Sequence, residues 1–309
     1  MAPGNLSTVT EFIFMGITSD QTFLHLIFLL FLLIYLTAIV GNIVIIIIII
    51  MIKDLHNPMY FFLSNLSFSD LCFCSAVTPK MLYDLLSETK VITFIGCVLQ
   101  LFFFAMFATI EGYLLSAMAY DRFVAICQPL LYVVIMNRRT RVVLMTVVYF
   151  GGIVTAGIHT TSTFSLSFCG SNIINHFYCD IHPLMSLSCS DTYMNKTVVF
   201  GIVATLGLFS AAVTLASYVY IFLTIMNIHS FEGRHRAFST CSSHLSCVGL
   251  FYGTVFFMYL RPASSYSVTQ EKVVSVFYTM IIPMMNPIIY SLRNREVKEA
   301  MAFYVKKLF

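Results

Sequence analysis

The sequence predicts an all-α membrane protein, a bundle of seven transmembrane helices, on three observations. Of 309 residues, 59% are hydrophobic and only 10% charged, against about 25% charged in an ordinary soluble domain. Seven apolar windows recur along the chain, each close to the roughly 20 residues a helix needs to cross about 30 Å of hydrocarbon. No Pro-, Gly- or Ser-rich linker separates them. The expectation is therefore one integral domain over residues 1–309: 1–23 an extracellular amino terminus, 24–292 the bundle, 293–309 a cytoplasmic tail.

The first window, Leu26 to Ile52, contains no charge. Its β-branched run from Ile43 to Ile50 would favour a strand in water, but an unpaired strand cannot satisfy its backbone in lipid, so helix wins. The others run from Pro58 to Leu86, Val98 to Tyr120, Val142 to Ser162, Thr197 to Ile225, Ala237 to Leu260 and Val273 to Leu292. The fourth, rich in Gly and Thr, is the weakest. A β-barrel would show alternating segments of about ten residues, and these are not visible. No basic stretch with a small-residue cleavage site precedes the first window, so it is expected to insert uncleaved. The tail mixes Arg293, Arg295, Lys298, Lys306 and Lys307 with Val297, Met301, Phe303 and Val305, which reads as a short amphipathic helix on the inner leaflet.

With the amino terminus outside, twelve of the 17 Lys and Arg residues fall on the cytoplasmic side, as the positive-inside rule requires. Asn5-Leu6-Ser7 is a glycosylation acceptor on the same outer side. The same pattern at Asn65 lies within the second window and reads as chance, and Asn195-Lys196-Thr197 hugs the membrane. Cys97, Cys169, Cys179 and Cys189 face the oxidising side and allow two bridges in any of three connectivities. Cys72, Cys74, Cys127, Cys241 and Cys247 lie in helices or near the cytosol and are expected as thiols.

Asp70 and Glu111 are acids placed where lipid should be, which makes them functional candidates. With Asn42 and Asn286 they share a layer near mid-membrane. Two readings are open: polar glue between helices, with Asp70 bonded to Asn42 and Asn286, or a sodium or proton site, since two adjacent carboxylates do not both ionise cheaply. On the third helix Phe104, Ala108, Glu111, Leu115 and Arg122 form one stripe that ends at the Asp121-Arg122 pair. No enzyme is expected, because Asp70, Glu111 and His244 are dispersed and no HExxH occurs. Gly151-Gly152 reads as close helix packing rather than a phosphate loop. The alternative class is a transporter or ligand-gated channel using Asp70 and Glu111, against which no internal repeat is visible.

Six motifs occur in order: Gly41-Asn42, LHNPMYFFLSNLSFSDLC from Leu55, MAYDRFVAICQPLLY from Met118, Ser217-Tyr218, RHRAFSTCSSH from Arg234, and PMMNPIIYSLRN from Pro283. On these motifs the chain resembles rhodopsin-like, G-protein-coupled receptors and, more narrowly, olfactory receptors of the larger tetrapod-type class II. It departs from them at Phe123, where Tyr is usual, and at Arg236, where Lys is usual.

The resemblance implies an activation switch of Asp121, Arg122, Tyr218, His244, Asn286, Pro287 and Tyr290, with Arg122 latched through Asp121 until a G protein is received. It implies bridges Cys97–Cys179 and Cys169–Cys189. It places a ligand pocket among the third, fifth, sixth and seventh helices, at Phe104, Ala105, Ala108, Thr109 and Gly112, at Ile202, Val203 and Leu206, and at Tyr252, Val255, Tyr259, Val276 and Thr279. Phe104 stands where amine receptors carry Asp, so the implied ligand is a small, neutral volatile odorant, hydrogen-bonded by Tyr259, Tyr252 or Thr109. The implied partners are a heterotrimeric stimulatory olfactory G protein, which raises cyclic AMP, and the lipid bilayer, with no nucleic acid. No cofactor is implied beyond a sodium ion at Asp70 and Glu111. The implied location is the plasma membrane of olfactory sensory cilia.

Overall fold

A computed structural model describes residues 9–17, 23–259 and 268–293, except for the side chains at 235–237, 239, 240, 259, 268 and 291–293. Asn5 and the expected tail helix lie outside the described residues. The main helices are α1 (Leu24–Met51), α2 (Pro58–Leu86), α3 (Phe94–Cys127), α5 (Arg138–Phe164), α7 (Tyr193–Met226) and α8 (Phe231–Tyr259). A seventh span is α9 (Val268–Val276), a π-helical turn Phe277–Ile281 and α10 (Ile282–Arg293). Among the described residues, seven stretches are long and apolar enough to cross a membrane. Short helices α4 (Tyr132–Ile135) and α6 (Ile181–Ser186) sit between spans.

Local sequence sets the helix starts. Asn57 Oδ1 accepts from the Tyr60 N–H at 3.2 Å, with Pro58 at the first helical position of α2. Thr93 caps α3 and Asn137 caps α5 in the same way, at 3.1 and 3.0 Å. Each cap satisfies a backbone donor that the helix itself leaves unpaired. The weakest window, the fourth, is thus a fully formed and capped helix. The second begins and ends where its window does. The third runs beyond its window at both ends, because hydropathy marks where lipid stops and not where the backbone stops coiling.

The central helix is α3, whose buried face includes Leu101, Phe104, Glu111, Leu115 and Arg122. It packs closely on α5 through the two glycines. A Cβ on Gly152 would stand 2.5 Å from Ile110 Cγ1 and 3.1 Å from the Met106 carbonyl, and one on Gly151 would stand 2.9 Å from Tyr113. Bare backbone is needed there, which bears out the packing reading. On the outside of the bundle Leu26, Leu29, Leu33, Val147 and Phe209 are exposed, a surface suited to hydrocarbon rather than water.

Between α1 and α10, chemistry and packing interlock. Pro287 has no N–H, so the Pro283 carbonyl one turn back lacks its helical donor. Asn42 Nδ2 supplies one at 3.0 Å, and also donates to Ala38 O at 2.9 Å. Gly41 makes room, since a Cβ there would lie 3.0 Å from the Pro287 ring. Asn42 therefore serves the α10 backbone. The expected bond from Asn42 to Asp70 is not formed; Asp70 is bonded by Asn286 alone of the two.

One end of the bundle carries a small sheet that the sequence reading, which gave residues 1–23 no structure, did not anticipate. Strand β1 (Glu11–Phe14) pairs antiparallel with β2 (Val91–Thr93), Phe12 opposite Ile92, and parallel with β3 (Ile173–Ile174), Ile13 opposite Ile173. Phe12 and Phe14 are buried in an apolar cluster with Leu101, Ile174 and Leu184. Disulfides Cys97–Cys179 and Cys169–Cys189 bind the same end, with Cα separations of 5.6 and 6.0 Å. The other five cysteines are free thiols.

Candidate ligand pocket and switch region

Beneath the disulfide end lies a cavity of about 100 Å³, room for a compact molecule rather than a drug-sized one. Helix α3 lines it with Phe104, Ala105, Ala108, Thr109 and Gly112, α7 with Ile202, Val203 and Leu206, and α8 with Tyr252 and Val255. All of these were expected from sequence. Val276 instead lines a separate cavity beside α1, with Phe31 and Lys272, and Thr279 is buried with its hydroxyl donating to Ser275 O at 2.8 Å. Val276 stands just before, and Thr279 within, the π turn Phe277–Ile281, where the wider i→i+5 winding points side chains differently from an uninterrupted α-helix. The side chain of Tyr259 lies outside the described residues.

The cavity also has walls the sequence reading did not assign. They include Tyr113 of α3, Thr155 and His159 of α5, Ile181 of α6, Phe251 of α8 and Tyr278 of the π turn. A signal existed: Thr155 and His159 are polar residues four apart, on one face of the Gly- and Thr-rich fourth span.

The roof is fixed by the third-helix disulfide. Beside it Gln100 Oε1 accepts from the Cys179 N–H at 3.0 Å while Gln100 Nε2 donates to Ala76 O at 3.1 Å. Asp180 Oδ1 accepts from the Ile181 N–H at 2.7 Å, starting α6 and bringing Ile181 over the cavity. Above it His176 is wholly buried, its ring centroid 4.6 Å from those of Phe177 and Tyr178, with Nε2 3.3 Å from Ser275 Oγ. Burial, and secondarily the charge of Lys272, hold its pKa down at about 3, so the ring is neutral at neutral pH.

The floor is polar but already occupied with itself. The Tyr252 hydroxyl lies 2.9 Å from Ser210 Oγ, 3.1 Å from Ser116 Oγ and 3.2 Å from Gly112 O. Ser116 Oγ donates to Ser210 O at 2.9 Å, and Thr214 Oγ1 donates to Ser116 Oγ at 3.2 Å. Thr109 Oγ1 donates back to Ala105 O at 2.8 Å. Phe104 is built into an aromatic cluster, with ring centroids 5.3 Å from Phe73 and 4.9 Å from Tyr178.

Asp70 and Glu111, the latter next to Gly112 on α3, are each 1% exposed. Asn286 Nδ2 donates to Asp70 Oδ2 at 3.0 Å, while Asp70 Oδ1, both Glu111 oxygens and Asn286 Oδ1 have no hydrogen-bond partner among the described residues. Four buried oxygens are left for a cation, a proton or water. Among the described residues no group of three or more His, Cys, Asp or Glu is placed to share a metal ion.

At the end opposite the disulfides, the Tyr218 hydroxyl lies 2.6 Å from His244 Nδ1. Arg122 and Tyr290 are buried close by, with Arg122 Nε and the Tyr290 hydroxyl without a hydrogen-bond partner among the described residues. Asp121 and Arg122 do not form the expected pair. Asp121 Oδ1 accepts from the Tyr132 hydroxyl at 3.0 Å, and the ion pair among the described residues is Lys80 with Asp84. Neighbours along a helix point about 100° apart, so adjacency in sequence does not bring them face to face. Tyr132, the last residue of its motif, is the partner that was missed; burial raises its pKa, and the Asp121 carboxylate adds to that.

Comparison with known proteins covers the same ground. The family profile described as "Olfactory receptor" matches residues 31–307. Olfactory receptor 5AR1 of Mus musculus is 54% identical over 296 residues, 96% of each chain. Olfactory receptor 5G25 of Mus musculus is 52% identical over 305 residues, 99% of this chain and 96% of the relative. Olfactory receptor 5AR1 of Homo sapiens is 53% identical over 296 residues, again 96% of each. The matched stretches span the pocket-lining helices as well as the bundle that carries them, and the chain therefore belongs to the olfactory receptor family of odorant-sensing, G-protein-coupled receptors.

Proposed function

We propose that this receptor binds small, neutral, mostly apolar volatiles in the cavity under its disulfide end and activates a stimulatory olfactory G protein that raises cyclic AMP. The observation that carries the reading is the cavity itself, lined largely by apolar side chains, with α3 running from it to the buried Arg122. Burying roughly 250 Å² of ligand at about 25 cal/mol per Å² gives about 6 kcal/mol, an affinity of roughly tens of micromolar at best. A ligand so held shifts the receptor only as far as it prefers one state over another. The amino terminus is outside and the receptor sits in the plasma membrane of olfactory cilia. The disulfides and β1 share one end of the molecule, which agrees with an oxidising outer side.

Asp70 and Glu111, with Asn286, hold one sodium ion or one shared proton, for which the unpartnered oxygens are the support. Sodium-dependent ligand affinity is then lost in Glu111→Gln. The main reading is tested by cyclic AMP in cells carrying the olfactory G protein, over a panel of neutral volatiles, with Arg122→Ala compared at equal surface level. A response lost in the variant supports it. Ligand-evoked current without any G protein would favour the channel reading instead, and silence of a well-displayed receptor to the whole panel would sink the neutral-volatile reading.

A further inference from the structure

We propose that His159 is the polar anchor of the pocket, and that the receptor thereby selects volatiles bearing a hydroxyl or carbonyl group, held from the α5 wall. The proposal rests on reading the cavity as the ligand site. His159 lines that cavity and is only 5% exposed. Its Nδ1 is buried without a partner, and the ring makes no hydrogen bond among the described residues. A neutral imidazole offers one N–H donor and one acceptor nitrogen. Leaving them unmet in an apolar enclosure is unfavourable, and a ligand group that meets one is correspondingly favoured.

Of the other polar groups at the cavity, Tyr252 and Ser210 belong to the floor network and Thr109 donates to its own helix. Among the described lining residues, His159 Nδ1 is the buried side-chain polar atom without a partner. Among the described residues no Asp, Glu, Lys or Arg lines the cavity, so there neither an ammonium nor a carboxylate ligand finds a counter-charge. A hydroxyl can serve either ring nitrogen, and a carbonyl can accept from the protonated one. The anchor thus lies on the fourth span, away from the Tyr252 and Tyr259 positions that sequence offsets point to.

The experiment uses the purified full-length receptor in lipid nanodiscs, with melting temperature measured against matched probes: cyclohexanol, cyclohexanone and methylcyclohexane, each of seven non-hydrogen atoms. Ligand that binds only the folded state raises the melting temperature. The alcohol and ketone are expected to stabilise the wild type at lower concentration than the hydrocarbon. Their apparent affinity should fall roughly tenfold in His159→Leu, with the hydrocarbon unaffected, and His159→Gln should recover most of the loss because it keeps a donor and an acceptor. His159→Met, of similar volume, serves in place of His159→Leu if that variant does not fold. Equal stabilisation of the wild type by all three probes, or by none, overturns the proposal, as does an oxygenated-probe preference that survives in the apolar variants. A receptor stabilised as expected that raises no cyclic AMP supports the anchor and sinks the signalling reading, so the two fail separately.

Discussion

Asp121 illustrates how a residue's partner is decided by direction rather than by distance along the chain. Its carboxylate is 1% exposed and its bond is with Tyr132, across a turn outside α3. Tyr132→Phe removes that donor and leaves a buried acceptor unmet. The expected cost is about 1–3 kcal/mol, read as a lower melting temperature of the purified receptor; an unchanged melting curve would mean that water or Arg122 already serves the carboxylate. Asn42 offers a sharper test, because its task exists only while Pro287 withholds an N–H. Asn42→Ala should cost roughly 1–2 kcal/mol in the wild type and distinctly less in a Pro287→Ala background, where the residue 287 N–H can serve Pro283 O. A double-mutant cycle measures this coupling, and additive losses would refute it. Motif offsets made much of the pocket legible at this scale, Phe104, Thr109, Leu206 and Tyr252 among it. His159 and Tyr132 were not legible as site residues, since a lone His or Tyr in a sequence carries no statement of whether its polar atoms are met.

Elements were legible wherever lipid dictates them. A chain in hydrocarbon must close its backbone bonds within each segment, so apolar length alone predicts a helix, and even the isoleucine run of α1 obeys. What hydropathy does not report is which helix touches which, and how closely. Gly152→Ala is expected to reduce surface expression severely, because its Cβ would strike Ile110 and stand 3.1 Å from backbone at Met106. Gly157→Ala, five residues on with nothing within 4 Å of the added carbon, should be neutral or slightly better, as Ala is the stronger helix former in water. Flow cytometry of surface-labelled receptor separates the two, and equal levels would show that α3 and α5 can move apart. The π turn at Phe277–Ile281 is a second element-scale feature without a sequence signature, and Val276 just before it lines another cavity.

For the whole molecule, the sheet, two disulfides and the loop between α5 and α7 form a covering unit over the cavity. His176 lies at its centre with Ser275, Tyr178 and Asp180 around it and Lys272 nearby. Its folded pKa of about 3 lies below the usual 6.5 or so of an open chain, so between these values the unfolded form binds more protons. Stability is then full above about pH 6.5 and falls as pH drops toward 3, by about 2 kcal/mol at pH 5 from this group. The melting temperature of the wild type should decline more steeply from pH 7.5 to 5 than that of His176→Gln; parallel slopes would contradict a neutral, buried ring. The chain by itself determined seven helices and the cysteines available for two bridges, because hydrocarbon and oxidising solvent act on each segment separately, while a largely apolar pocket was what its resemblance to a known family implied. Only the tertiary structure decided that Asn42 serves Pro283, that Asp121 turns to Tyr132, that β1 closes over the disulfide end and that an imidazole stands unpaired in the cavity wall. Each of these depends on the direction of a side chain relative to another segment, and that direction is set by packing, not by position in the chain.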